Sequence, residues 1–372
     1  MKPAMTSRER LLRLFANQET DRTPIWLLYP YHRLGCYTDV YNNPYYKPLL
    51  PYIEKYCDTF DRRGYPAAHF CFNGNQDIKQ ETMTENINGV PTEVRRIKYG
   101  NLCMRKFVET TAAGKIIRHY VDDPVQLKDI AAIPYIFPLP DFTKIETEKQ
   151  ELGDKGLTML DLGDALTPLY QIVSAENFAI WSLTDYDAML EFTDLMYKRC
   201  MAMYKACLEK NAADVYFIVG TEFAGPPLLP PAKFSGLCVR YVKGIADLIR
   251  SYGKYSIVHY HGNLYHVLDG MKEINPDGLH TIEAPPVGNC TITQAREVLE
   301  NMILIGNIQY DDLRSQTPEG MDVMVKAAME EAQGGRFILS PTAGPYEETL
   351  TDRQIKNYIA FIEAGIKYGK KK

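Results

Sequence analysis

The stretch Tyr255-Ser-Ile-Val-His-Tyr-His-Gly-Asn263 holds the spacing most suggestive of chemistry. Residues 255–258 are rich in aromatic and β-branched side chains and read as a short buried strand. It runs into His259, Tyr260 and His261 before Gly262-Asn263 breaks it. Alternate side chains of an extended segment share a face, so His259 and His261 point the same way. Two imidazoles side by side at a strand end can hold one metal ion. The same spacing also serves two hydrogen-bonded histidines that hold nothing.

These histidines need elements that bring other polar groups to the same place. Short apolar runs that read as strands recur at 157–162, 214–219, 279–283, 302–305 and 337–340. Amphipathic helical patterns lie between them at 185–210, 231–252, 293–301, 318–333 and 351–367. With two earlier strands, at 25–28 and 67–72, this makes eight strand–helix units, the rhythm of an α/β protein, a (β/α)8 TIM barrel. A capping box, Thr6-x-x-Glu9, opens the N-terminal helix. Period-2 segments at 92–99, 104–108 and 116–121, joined by turn signals, predict an antiparallel β meander inserted at about 88–122 of a single barrel domain spanning 1–372. Barrel chemistry sits where strands end. The polar residues met there are Tyr29, Arg33, His69, Tyr170, Glu222, His259, His261 and Glu283. His69 with Cys71 repeats a His-x-Cys spacing on another strand.

Composition narrows the function class. The 372 residues are 45% hydrophobic and 24% charged, which is globular. A net charge of −5 with scattered Lys and Arg argues against a nucleic-acid partner. No run approaches the ~20 apolar residues of a membrane span, and the opening residues lack the apolar core of a signal peptide. Eight cysteines without a CxxC read as reduced thiols, so the expected location is cytoplasmic. The 26 tyrosines suit pocket linings as well as cores. Met189, Met196, Met201 and Met203 read as helix packing.

The chain resembles the uroporphyrinogen decarboxylase superfamily. The resemblance rests on Arg8-Glu-Arg10 through Pro24-Ile-Trp-Leu27, on His259-x-His261-Gly-Asn263, on Ile305-Gly-Asn-Ile308 followed by Thr317-Pro-Glu319, and on Phe337-Ile-Leu-Ser-Pro-x-x-Gly344. It runs over nearly the whole chain and implies a (β/α)8 barrel. It also implies one of two chemistries: cofactor-free decarboxylation of porphyrinogen acetates, or zinc-dependent methyl transfer to or from a corrinoid. The decarboxylases carry two arginines after the first strand. Here the first position is Tyr29 and only Arg33 remains, a poor grip for a polycarboxylate. Their late histidine is also absent from Ser340-Pro-Thr-Ala-Gly344. The methyltransferase branch binds zinc through His-x-Cys and a later cysteine; His259 matches, His261 replaces the first cysteine and Ala343 stands in place of the second.

The resemblance, so altered, implies a zinc ion held by harder ligands, His259, His261, Glu222 and Glu283, and better suited to polarising an oxygen. The expected activity is methyl transfer between a small substrate, a methoxylated aromatic first, and a corrinoid protein. Glu222 and His259 would be catalytic, while Tyr29, Arg33, His69 and Tyr170 would contact substrate. No cobalamin-binding domain is visible, so the corrinoid would arrive on a partner. Two alternatives stay open: a cofactor-free decarboxylase in which Arg33 grips a carboxylate, and a non-catalytic binding barrel. The meander could serve as a lid or as the contact of a homodimer.

Overall fold

The computed structural model describes residues 5–35, 37–64, 71–72, 75–111, 114–138 and 140–370. After a single-residue bridge at Ile25, the named strands begin with β1 (Thr59–Gly64), followed by β2 (Lys79–Ile87), β3 (Val90–Tyr99), β4 (Leu102–Thr111) and β5 (Gly114–Arg118). Then come β6 (Gly156–Asp161), β7 (Val215–Ile218), β8 (Tyr255–His259), β9 (Gly278–His280), β10 (Ile303–Ile308) and β11 (Phe337–Pro341). Strands β1 and β6 to β11 form one parallel sheet in chain order, while β2 to β5 form a separate antiparallel sheet. Residues 24–26 close the ring. Ile25 pairs in parallel with Leu339, the Trp26 amide donates to the Leu339 carbonyl (2.9 Å), and Asp58 N–H donates to the Ile25 carbonyl.

Strand alternation divides the apolar residues into two cores. Phe60, Leu157, Met159, Val215, Phe217, Ile257, Ile303, Ile305 and Ile338 fill the barrel interior. Their neighbours Leu160, Tyr216, Val258, Leu304 and Leu339 face the surrounding helices. The helix Ser7–Phe15 starts at Thr6, whose hydroxyl accepts from Glu9 N–H (3.1 Å), and it plugs the lower end of the barrel. Leu11, Leu14 and Phe15 enter the interior core, with Phe15 stacked on Tyr255 at 4.4 Å. Each such fully buried side chain contributes about 1.5–3 kcal/mol. Arg8 fixes the plug through a two-pronged pair with Asp214 (2.8 and 3.1 Å), leaving the opposite end of the barrel for chemistry.

Three expectations about the elements are corrected. The second barrel strand is Thr59–Gly64, not 67–72; Cys71 and Phe72 lie in a turn, and His69 lies outside the described residues. Its run Thr-Phe-Asp-Arg-Arg-Gly conceals the pattern, because the inward positions are Phe60 and Arg62 and a charge stands beside each. The first strand is also shorter than expected, since Leu28 turns left-handed at φ 63°. The inserted sheet begins at Lys79 with a strand whose side chains are mostly exposed, so no apolar alternation marks it. Among the described residues no helix is long and apolar enough to cross a membrane.

Candidate active site

Above the apolar filling, the inward positions of the strands become polar. Register sets His259 opposite His280 across β8 and β9, and their rings stack at 4.9 Å with Nδ1 atoms 2.8 Å apart. His280 Nε2 lies 3.1 Å from the Pro341 carbonyl, which can only accept, so Nε2 carries the proton. A neutral His280 then accepts at Nδ1, His259 must donate from Nδ1, and His259 Nε2 is left as a bare acceptor. Both rings stay neutral. Burial pushes His259 well below the ordinary imidazole range and His280 down to about 3, and the charge of Arg62 pushes both the same way. Trp26 (5.6 Å from His280) and Phe217 (5.2 Å from His259) form their floor. Arg62 stands over Phe217 at 4.8 Å and is anchored by Asp161, with Nε 3.2 Å from Oδ2.

The second group is built from the loops after β7, β8 and β9. His261 Nδ1 donates to Glu283 Oε1 (2.9 Å), and Glu283 Oε2 accepts the Gly262 amide (2.7 Å). Between β9 and Glu283 the buried Ile282 is held at φ 57°, an outlier for a β-branched residue that costs about 1–3 kcal/mol. Such strain is concentrated where a side chain has to be aimed. Burial alone would lower His261; the hydrogen bond and charge of Glu283, then the charge of Glu222, more than reverse this and raise it. The side chain of His261 remains 39% exposed, against 5% for Glu283.

Glu222 sits on the turn Thr221–Ala224 after β7. That turn needs Gly220 at φ 110°, where a Cβ would meet Thr167 Oγ1 at 1.9 Å. Thr221 Oγ1 then donates to the His259 carbonyl (2.6 Å), tying the turn to β8. Glu222 Oε2 is buried and has no hydrogen-bond partner. Burial raises its carboxyl to about 7, with Asp164 adding to the rise and His261 opposing it. Asp164 is itself buried: one oxygen accepts from Thr167 N–H and Oγ1–H (2.8 and 2.7 Å), and its other oxygen is unpartnered.

The structure brings His259, His261, Glu222 and Glu283 to one end of the barrel, with the two histidine rings 4.5 Å apart. It does not assemble them into the expected zinc shell. Both oxygens of Glu283 are committed to His261 and Gly262, and among the described residues no three His, Cys, Asp or Glu side chains converge where a metal ion could be held. Tyr170 lines a cleft of about 810 Å³ between the barrel mouth and the inserted sheet, stacked on Phe223 at 3.8 Å. Tyr29 is buried on the helix side of the barrel, edge-on to Tyr46 at 6.0 Å. Arg33 is exposed and is not part of that cleft's lining. His280, Arg62 and Asp161 also belong to the site, and none of them is among the residues expected from the sequence. His280 and Asp161 stand two residues beyond an inward-facing strand position, a signal that period-2 counting supplies. Arg62 needed the right second strand.

Residues 125–368 match the sequence model of the uroporphyrinogen decarboxylase (URO-D) family. The chain belongs to the uroporphyrinogen decarboxylase family. This family domain therefore covers β6 to β11 and every residue of the histidine–carboxylate group. Among curated proteins none matches the chain in sequence. Among solved structures, a methyltransferase from Methanosarcina mazei is similar with a TM-score of 0.62 at 18% identity, covering 98% of this chain and 99% of that one. That likeness is one of fold, over nearly the whole length of both chains. D-psicose 3-epimerase with D-tagatose, from Clostridium cellulolyticum H10, gives a TM-score of 0.32 at 9% identity over 63% of this chain and 96% of that one.

Proposed function

We propose that this family member is a methyltransferase that moves a methyl group between a small methoxylated aromatic substrate and a corrinoid carried by a partner protein. The observation that carries the reading is Glu222, whose buried oxygen has no partner in the protein and whose carboxyl holds a proton near neutrality. A methyl ether releases a poor leaving group unless its oxygen is protonated. Glu222 supplies that proton as the O–CH3 bond breaks, so a neutral phenol departs. The corrinoid supplies the nucleophile that accepts the methyl group. The adjoining cleft of about 810 Å³, lined by Gly220 and Phe223 on either side of Glu222, suits one small molecule and not a macrocycle as well. The corrinoid is therefore presented from outside.

The remaining residues position and recharge. His259 Nε2 offers an acceptor to a substrate hydroxyl, and His280 fixes the tautomer that makes it one. His261, partly exposed and held by Glu283, returns a proton to Glu222 between turnovers. No step is assigned to zinc, because the donors present do not form its shell. The fold of the Methanosarcina mazei methyltransferase supports the reading, as do Tyr29, buried on the helix side of the barrel, and Arg33, outside the cleft's lining, neither of which grips a carboxylate there. Incubation with methoxylated aromatics tests it. Release of free phenol that requires reduced corrinoid protein is expected; carbon dioxide release without corrinoid would instead make the protein a decarboxylase.

A further inference from the structure

The inserted sheet roofs the cleft, and the face it turns inward is cationic. Pairing sets Thr82, Arg95 and Lys106 side by side across β2, β3 and β4, with Gln80 and Ile97 in the next row. All five line the cleft. Arg95 and Lys106 are directly opposite one another, and like charges so placed are unfavourable in a sheet. Arg95 is relieved by Glu93 at 2.7 Å. Lys106 has no carboxylate partner among the described residues; its ammonium stands 6.0 Å from the centre of the Tyr120 ring, partly buried beside the charge of Arg95. Next to it His119 is kept neutral by burial and by the charge of Lys106, and its ring donates to the backbone at Gln171, so it adds no competing charge to the roof.

The acids on the cleft wall are already engaged. Glu81 lies within ion-pair distance of Arg96 and Lys98 (3.7 and 3.9 Å), and Asp161 holds Arg62. The roof thus has an uncompensated positive charge, while the stacked Tyr170 and Phe223 supply a flat apolar wall at the same cleft. Gly220, two residues before Glu222, belongs to the opposite side of the lining. A ligand with an anionic group at one end and a planar ring would fill both kinds of surface at once.

We propose that Lys106, with Arg95, forms a subsite for a carboxylate of the substrate, so that the cleft takes an aromatic acid in preference to a neutral arene. The proposal rests on the methyl-transfer reading for the methoxy group alone; the anion subsite stands on the roof of the cleft.

Calorimetric binding of 4-methoxybenzoate and 4-methoxybenzamide to the full chain tests it without turnover. The acid is expected to bind about tenfold or more tighter than the amide, the worth of one charge-assisted hydrogen bond. Lys106→Met should erase the difference, Lys106→Arg should keep most of it, and Glu222→Gln should leave it unchanged. Equal binding of acid and amide, or a preference that survives Lys106→Met, would overturn the subsite. A Lys106-dependent preference in a protein that never releases phenol with corrinoid would keep the subsite and remove the methyl-transfer reading.

Discussion

Replacing Glu222 by Gln should make the protein more stable and much less active, and both effects follow from one buried oxygen. Moving the carboxyl from its ordinary 4.5 to about 7 means the folded protein holds a proton that the unfolded chain releases between those values. The native state therefore binds more protons across that window, and wild-type stability falls as pH rises through about 7. Above it, keeping the ionised carboxylate buried costs about 3 kcal/mol, at 1.36 kcal/mol per tenfold change in proton affinity. Gln never ionises. The unfolding free energy of Glu222→Gln minus that of wild type should thus grow by about 2.5 kcal/mol between pH 5 and pH 8. Urea titrations of both proteins at the two pH values measure it directly. Removing the proton donor should also lower methyl transfer by about 10²–10⁴-fold, and the wild-type rate should fall with pH above about 7. A stability difference that does not change with pH, or a variant transferring methyl within a few-fold of wild type, would refute the reasoning.

Glu283→Gln removes the charge that raises His261, so the His261 ring should titrate at lower pH in the variant, which NMR of the ring protons can follow; an unchanged titration would mean Glu283 does not set it. Gly220→Ala forces a Cβ against Thr167 Oγ1 at a left-handed backbone position and should destabilise the chain by about 2 kcal/mol or more, read by urea unfolding. Asp214→Ala leaves Arg8 without its partner at the barrel floor and should cost about 3 kcal/mol, while activity per folded molecule stays at the wild-type level. Because Arg8 holds the Asp214 carboxyl below the ordinary range against the pull of burial, the stability it contributes should disappear as pH falls through the carboxylate range.

The barrel was legible where burial on both faces leaves an uninterrupted apolar run of strand length, as in 215–219 or 302–305, because a run so short and bounded by turn residues fits an interior strand better than a helix. It was least legible where one face of a strand carries function. Arg62 and Asp61 disguised β1, and the mostly exposed Lys79–Ile87 looked like loop. For the site, alternation placed His259 and His261 on one side, and the strand-end rule brought Glu222 and Glu283 near them. What the sequence does not carry is the direction of each lone pair. Glu283 turns to His261 and Gly262, not to a shared centre, because Ile282 bends the chain left-handed between them and β9. His280 was hidden for a related reason: its partner, the Pro341 carbonyl, comes from a strand 61 residues away.

The most direct measurement is a single-turnover assay with a methoxylated benzoate and reduced corrinoid protein, following phenol release by wild type and by Glu222→Gln. One phenol per active site is expected with wild type, and a rate lower by at least about 10²-fold in the variant. Phenol release at equal rates from both proteins, or none from wild type with any methoxylated substrate, would contradict it.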